Sequence, residues 1–167
     1  MNTDLIKDLR EKTGAGIMAC KSALQSSNGD IQLAVKILQE QGIASARKKI
    51  GRNAKEGIIS SYIHANNKIG VLLEINCETD FVANTEDFKN LAHNITMQIA
   101  AMNPIYIDID SNPEIIKEEK PNEENCLYSQ TFIKENDKTV KDLIEETSGK
   151  LGEKIEVKRF QRFAISE

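Results

Sequence analysis

The run Ile69-Gly70-Val71-Leu72-Leu73-Glu74-Ile75 is almost continuously apolar. A strand that is apolar on both sides belongs in the middle of a sheet, and the run is far shorter than the ~20 residues a membrane helix needs. It lies within a β-rich stretch, Lys68 to Cys77, that follows a second one, Gly57 to His64, across Ala65-Asn66-Asn67. That spacing predicts a hairpin with its tip at the asparagines.

From Thr85 to Met102, Phe88, Leu91, Ala92, Ile95, Ile99 and Met102 recur at helical spacing, and Asn103-Pro104 ends the pattern. Residues 108–125 turn acidic, with Pro113 and Pro121 interrupting, and predict an exposed loop with room for one helical turn. A last helix is expected to start near Thr139, bury Val140, Leu143 and Ile144, and stop at Ser148-Gly149. Lys154 to Phe160 alternates as a strand, slipping at Arg159-Phe160, where a bulge would fit.

Three short helices precede this unit. Asp4 caps the first, with Leu5, Ile6 and Leu9 inward, and Thr13-Gly14-Ala15-Gly16 ends it. The second runs from about Ile17 to Ser26. Asn28-Gly29-Asp30 turns the chain and caps the third, where Ile31, Ala34, Val35 and Leu38 recur until Gly42 closes it. The expected division is residues 1–42 as a three-helix docking module, 43–55 as a basic linker, and 56–167 as a core. The fold class is α+β, with a mainly antiparallel sheet of at least three strands packed by helices.

A length of 167 residues excludes a large multidomain enzyme, and 40% hydrophobic with 29% charged residues fits a globular chain with a core. Net charge is −4, unevenly placed: residues 1–55 hold ten Lys/Arg against five Asp/Glu, and 108–125 hold two against seven. This dipolar pattern suits an asymmetric partner better than direct nucleic-acid binding. The amino terminus lacks the apolar stretch of a signal peptide, and Cys20, Cys77 and Cys126 have no disulfide or zinc spacing. A cytoplasmic protein with reduced thiols, away from membranes, is expected.

No catalytic motif stands out. GxxxxGK[ST], GxGxxG and HExxH are missing, and Thr13-Gly14-Ala15-Gly16 follows a helix where a phosphate loop follows a strand. His64 and His93 are isolated in sequence. Neither an enzyme nor a bound metal or other cofactor is expected. The segment Cys77-Glu78-Thr79-Asp80-Phe81-Val82-Ala83-Asn84, between strand and helix, admits two readings. In one, Thr79 or Asp80 shapes the turn, Phe81 and Val82 fill the core, and Asn84 or Thr85 caps the helix. In the other, the loop presents an aromatic wedge beside a carboxylate to another protein.

Leu9-Arg10-Glu11-Lys12-Thr13-Gly14-Ala15-Gly16-Ile17-Met18 with Cys20-Lys21, then Thr79-Asp80-Phe81-Val82-Ala83, then Lys154-Ile155-Glu156-Val157-Lys158-Arg159-Phe160, occur in order. With them the chain resembles the bacterial elongation factor Ts family, nucleotide-exchange factors of elongation factor Tu. The resemblance implies a ubiquitin-associated-like three-helix domain and a core whose Thr79-Asp80-Phe81-Val82 segment disturbs the partner's magnesium site, releasing GDP. It marks Lys7, Arg10, Ile17, Met18 and Lys21 as docking residues and His64 as a core contact. The residues alone leave other roles open. Ile17 fits the bundle core, Met18 fits either role, Lys7, Arg10 and Lys21 fit solvated surface, and His64 fits a strand end.

The segment between Pro104 and Cys126 is shorter than in the long family members and lacks their coiled-coil insertion. That matches a short class whose cores pair as homodimers. The alternative function is an interaction module in which the helices bind a ubiquitin-like or ribosome-associated partner.

Overall fold

The computed structural model describes residues 3–109 and 120–165. Helices α1 (Thr3–Thr13), α2 (Ile17–Ser26) and α3 (Ile31–Arg47) close around Leu9, Cys20, Ala23, Leu24 and Ala34. Asp4 lies inside the first turn of α1 rather than ahead of it, where its charge still suits the helix dipole. Asn28 and Gly29 both take positive φ to reverse the chain, and the Asp30 carboxylate accepts from the Leu33 N–H at 3.0 Å to cap α3.

Gly42 does not close α3. The helix continues to Arg47, so residues 43–47 of the expected linker are helical. The glycine serves close approach instead. A Cβ on Gly149 of helix α6 (Val140–Leu151) would lie 2.5 Å from the Gly42 Cα, so the two helices cross with backbone against backbone. After α3, Lys49 is buried and donates to the Ser148 carbonyl at 3.2 Å, and Arg47 pairs with Glu145 at 3.3 Å. Together these contacts seat the three-helix unit on the core.

The main sheet has the order β1-β2-β5, antiparallel throughout: β1 (Glu56–Ile63), β2 (Ile69–Cys77) and β5 (Glu156–Ala164). Strand β2 is central, as its apolar run requires. Val71, Leu73 and Ile75 face helix α5 (Glu86–Met102), whose Phe88, Leu91, Ala92, Ile95 and Ile99 complete the core. Thr85 caps α5 and Asn103, at φ 45, ends it.

The bulge in β5 falls at Lys158, because Glu74 pairs with Arg159 while Ile75 pairs with Val157. The extra residue lets Val157 and Phe160, three apart, both turn toward the core. Helix α6 passes Ser148-Gly149 and stops at Leu151, where Gly152 adopts the left-handed conformation at φ 79.

A two-stranded hairpin, β3 (Thr131–Phe132) with β4 (Glu135–Thr139), was not expected from the sequence. Buried Gln98 holds it to α5, donating to the Thr131 carbonyl at 3.1 Å and accepting from the Ile133 N–H at 2.9 Å. Of the acidic stretch 108–125, residues 110–119, including Pro113, lie outside the described residues, and the described remainder holds no helix. Lys120, Asn122, Glu123 and Glu124 are exposed as expected, but Asn125 is buried, and its carbonyl accepts from the N–H groups of Ile105 and Tyr106.

Candidate functional site

Strand β2 delivers the chain to Thr79, which stays extended while its hydroxyl accepts from the Val82 N–H at 3.4 Å. This starts the one-turn helix α4 (Asp80–Ala83). Its short period separates the side chains. Val82 is 9% exposed and packs in the core, whereas Asp80 is exposed and Phe81 is 81% exposed. The expectation that Phe81 and Val82 both fill the core therefore holds for Val82 alone. A Phe at the second position of a helical turn cannot point the same way as its neighbour.

A carboxylate from the far end of the chain secures the turn. Glu153, in the connection between α6 and β5, accepts from the N–H groups of Glu78 and Thr79, each at 3.0 Å, through one oxygen. Its other oxygen accepts from the Thr79 hydroxyl at 2.6 Å. In return, Glu78 accepts from the Lys154 N–H at 2.7 Å and from Arg52 at 3.3 Å. Glu153 thus holds the backbone of Glu78 and Thr79, while Glu78 holds that of Lys154, the residue after Glu153. The Lys154 N–H chiefly, with Arg52, holds the Glu78 carboxyl below its usual value against the opposing effect of burial. Beside them, burial and then the charge of Glu153 push the Cys77 thiol up to about 11. Burial, with Arg52 adding to it, lowers the Lys49 ammonium, and Glu78 partly offsets both.

Lys7 and Arg10 share an exposed face of α1, one helical turn apart. Ile17 and Met18 begin α2 and are 56% and 74% exposed, with exposed Lys21 a turn further on. Ile17 is therefore not part of the bundle core. His64 follows the opposite end of β1 from the end that pairs with Cys77, so the length of the strand, roughly 25 Å, separates it from the Thr79 turn. The Tyr62 hydroxyl meets its Nδ1 at 3.1 Å, and Tyr62 also stacks edge-on with His93 at 5.9 Å. Among the described residues, no group of three or more His, Cys, Asp or Glu is placed to hold a metal ion.

Of the clasping residues, Glu153 and Arg52 were not singled out from the sequence, and Glu78 and Lys154 stood within its motifs without this role. Glu153 stands 74 residues from Thr79, and only the two-sided sheet brings them together. The one local signal was a glycine cap followed directly by an acid, Gly152-Glu153.

The Elongation factor TS family model matches residues 22–122 and 116–167. The chain belongs to the elongation factor Ts family. It is 49% identical to elongation factor Ts of Thermotoga maritima, over all of this chain and 97% of that protein. Against the elongation factor Ts of Thermoanaerobacter sp. strain X514 it is 47% identical, over all of this chain and 96% of the relative. Against that of Moorella thermoacetica it is 45% identical, over 97% of this chain and 94% of the relative. The alignment to the Thermotoga protein spans 193 positions against 167 residues here, so this member of the elongation factor Ts family is a shortened one. The family places it in translation elongation. No helix among the described residues is long and apolar enough to cross a membrane.

Proposed function

We propose that this chain is a guanine-nucleotide exchange factor for elongation factor Tu, releasing GDP and leaving as GTP rebinds. The observation that carries the reading is Phe81, a large apolar ring left exposed on a turn whose entry backbone is held by the Glu153 carboxylate. An exposed aromatic on an ordered turn gains free energy when a partner buries it. Burial of such a side chain is worth about 1.5–3 kcal/mol.

That is not enough to expel a tightly held nucleotide, since a ligand bound at ~1 nM is held by about 12 kcal/mol. Asp80 adds a negative charge beside the ring, where a magnesium site built on carboxylates and phosphate oxygens is sensitive to it. Thr79 and Val82 anchor the turn, Lys7, Arg10, Ile17, Met18 and Lys21 dock the helices, and His64 extends the contact along the core. An exchange factor changes no covalent bond. It binds the nucleotide-free partner more tightly than the loaded one, and linkage requires that it weaken the nucleotide by the same factor. Neither a catalytic base nor a cofactor is needed, so the chain acts as a non-enzymatic cytoplasmic factor without direct nucleic-acid contact.

The sheet face turned away from α5 supports pairing of two cores. Ile59 and Ile63 of β1, Leu72 of β2 and Phe163 of β5 are exposed large apolar side chains there, and the adjacent Glu74 and Arg159 pair at 2.6 Å. An apolar patch of this kind is covered by a second copy of the same face in an isologous homodimer. A Leu72→Lys chain of monomer mass beside a parent of dimer mass in light scattering is expected. A parent of monomer mass at every concentration contradicts the pairing.

The exchange reading is tested by titrating elongation factor Tu with this chain, with and without GDP. Tighter binding to the nucleotide-free form, by the factor by which the chain weakens GDP, is expected. Equal affinity for both forms overturns the reading and leaves the interaction module.

A further inference from the structure

Phe81 is exposed, so packing does not set the direction of its ring. The backbone of Glu78, Thr79 and Asp80 does, and three hydrogen bonds converge on that backbone and on the Thr79 hydroxyl from one carboxylate. The same hydroxyl accepts from the Val82 N–H, so Glu153 and the start of α4 are joined through a single oxygen. Glu153 is itself held. It follows the Gly152 cap of α6, its own carbonyl accepts from the Ser148 hydroxyl, and the next N–H, of Lys154, is taken by Glu78.

We propose that Glu153 is a positioning residue for the exchange turn, presenting Phe81 in one orientation before any partner is met; this rests on the exchange function above. A group ordered in advance loses less freedom on binding, so interactions that form late in nucleotide release are strengthened. Removing Glu153 leaves the docking faces of α1 and α2 untouched, because they lie on other elements. The loss therefore falls on the maximal release rate and not on the concentration of factor needed for half of it.

The chain has no tryptophan, so Phe81→Trp supplies a single reporter at the tip of the turn. In the full chain, the fluorescence anisotropy of this reporter is expected to decay slowly with overall tumbling. With Glu153→Gln added, a fast component appears while circular dichroism stays that of the folded chain. In the Phe81 background, Glu153→Gln lowers the maximal GDP-release rate about tenfold and leaves the half-saturating concentration within about twofold. Thr79→Val, which removes the hydroxyl that donates to Glu153, is expected to bring in the same fast component and the same loss of release.

Amide hydrogen exchange on the unaltered chain covers the case in which the variants fail to fold: the Glu78 and Thr79 amides are expected to be protected, and unprotected amides contradict the proposal. A folded Glu153→Gln chain with a slow reporter and parental release overturns it. A parent that does not accelerate release overturns the exchange function instead, and the anisotropy and amide protection then decide the positioning role by themselves.

Discussion

Thr79 and Glu153 stand 74 residues apart and share two hydrogen bonds, one from the Thr79 N–H at 3.0 Å and one from its hydroxyl at 2.6 Å. Hydrogen bonds to a charged acceptor are stronger than neutral ones. Two of them on one residue fix the exit of β2 to the entry of β5, and the exposed ring of Phe81 is carried on that fixed exit.

Gly42 and Gly149 are unequal partners. A Cβ at Gly149 meets three Gly42 backbone atoms at 2.5–2.7 Å, whereas a Cβ at Gly42 meets the Gly149 Cα at 3.8 Å, an ordinary contact. Gly149→Ala is expected to lower unfolding stability by about 1–3 kcal/mol. Gly42→Ala is expected to hold or raise it, by up to about 1 kcal/mol from helix propensity. Urea denaturation of both variants measures this, and equal losses would count against the backbone crossing.

Glu78 makes stability depend on acid. Its carboxyl lies below the usual range in the folded chain, so its contribution is full above the unfolded value and is lost as pH falls through the folded one. Glu78→Gln is expected to cost on the order of 1 kcal/mol at pH 7, after allowance for partial exposure. The gap to the parent should close in acid. Melting temperatures across the carboxylate range measure it, and a pH-independent gap would refute the clasp's ionic character.

Cys77 acts at the other end of the pH scale. Its thiol is raised from 9.0 to about 11 by burial and by Glu153, so the folded chain keeps it neutral where the unfolded chain ionises it. Stability is full below pH 9 and falls as pH rises toward about 11. Cys77→Ala is expected to flatten that alkaline slope, and at pH 8 a thiol reagent should label Cys77 only after unfolding. Rapid labelling of the native chain would contradict its burial.

The elements with strong local signals were legible in the sequence. Of the two residues offered as a cap for α5, Thr85 is the one that caps it, the last helix starts at Thr139 as expected, Asn103 ends α5, and the apolar run of β2 is central. Hairpin β3-β4 was not legible, because Lys134, Glu135, Asn136 and Asp137 carry no alternation and the pairing leans on the distant Gln98. Gly42 read as a helix end because a glycine that stops a helix and one that lets a second helix approach look alike without Gly149 beside it. At the site, the Thr79-Asp80-Phe81-Val82 segment was visible as a motif, but the direction of Phe81 was not. That direction follows from helical phase within α4 and from Glu153, and neither is a property of the local sequence.

The release of labelled GDP from elongation factor Tu, followed with catalytic amounts of the parent chain and of Phe81→Ala, tests the central claim most directly. Phe81 is exposed, so the substitution should leave unfolding stability within about 0.5 kcal/mol. The parent is expected to accelerate release, and the folded Phe81→Ala chain to lose most of that acceleration. Release at the same rate with and without the parent, or undiminished by Phe81→Ala, would contradict the account.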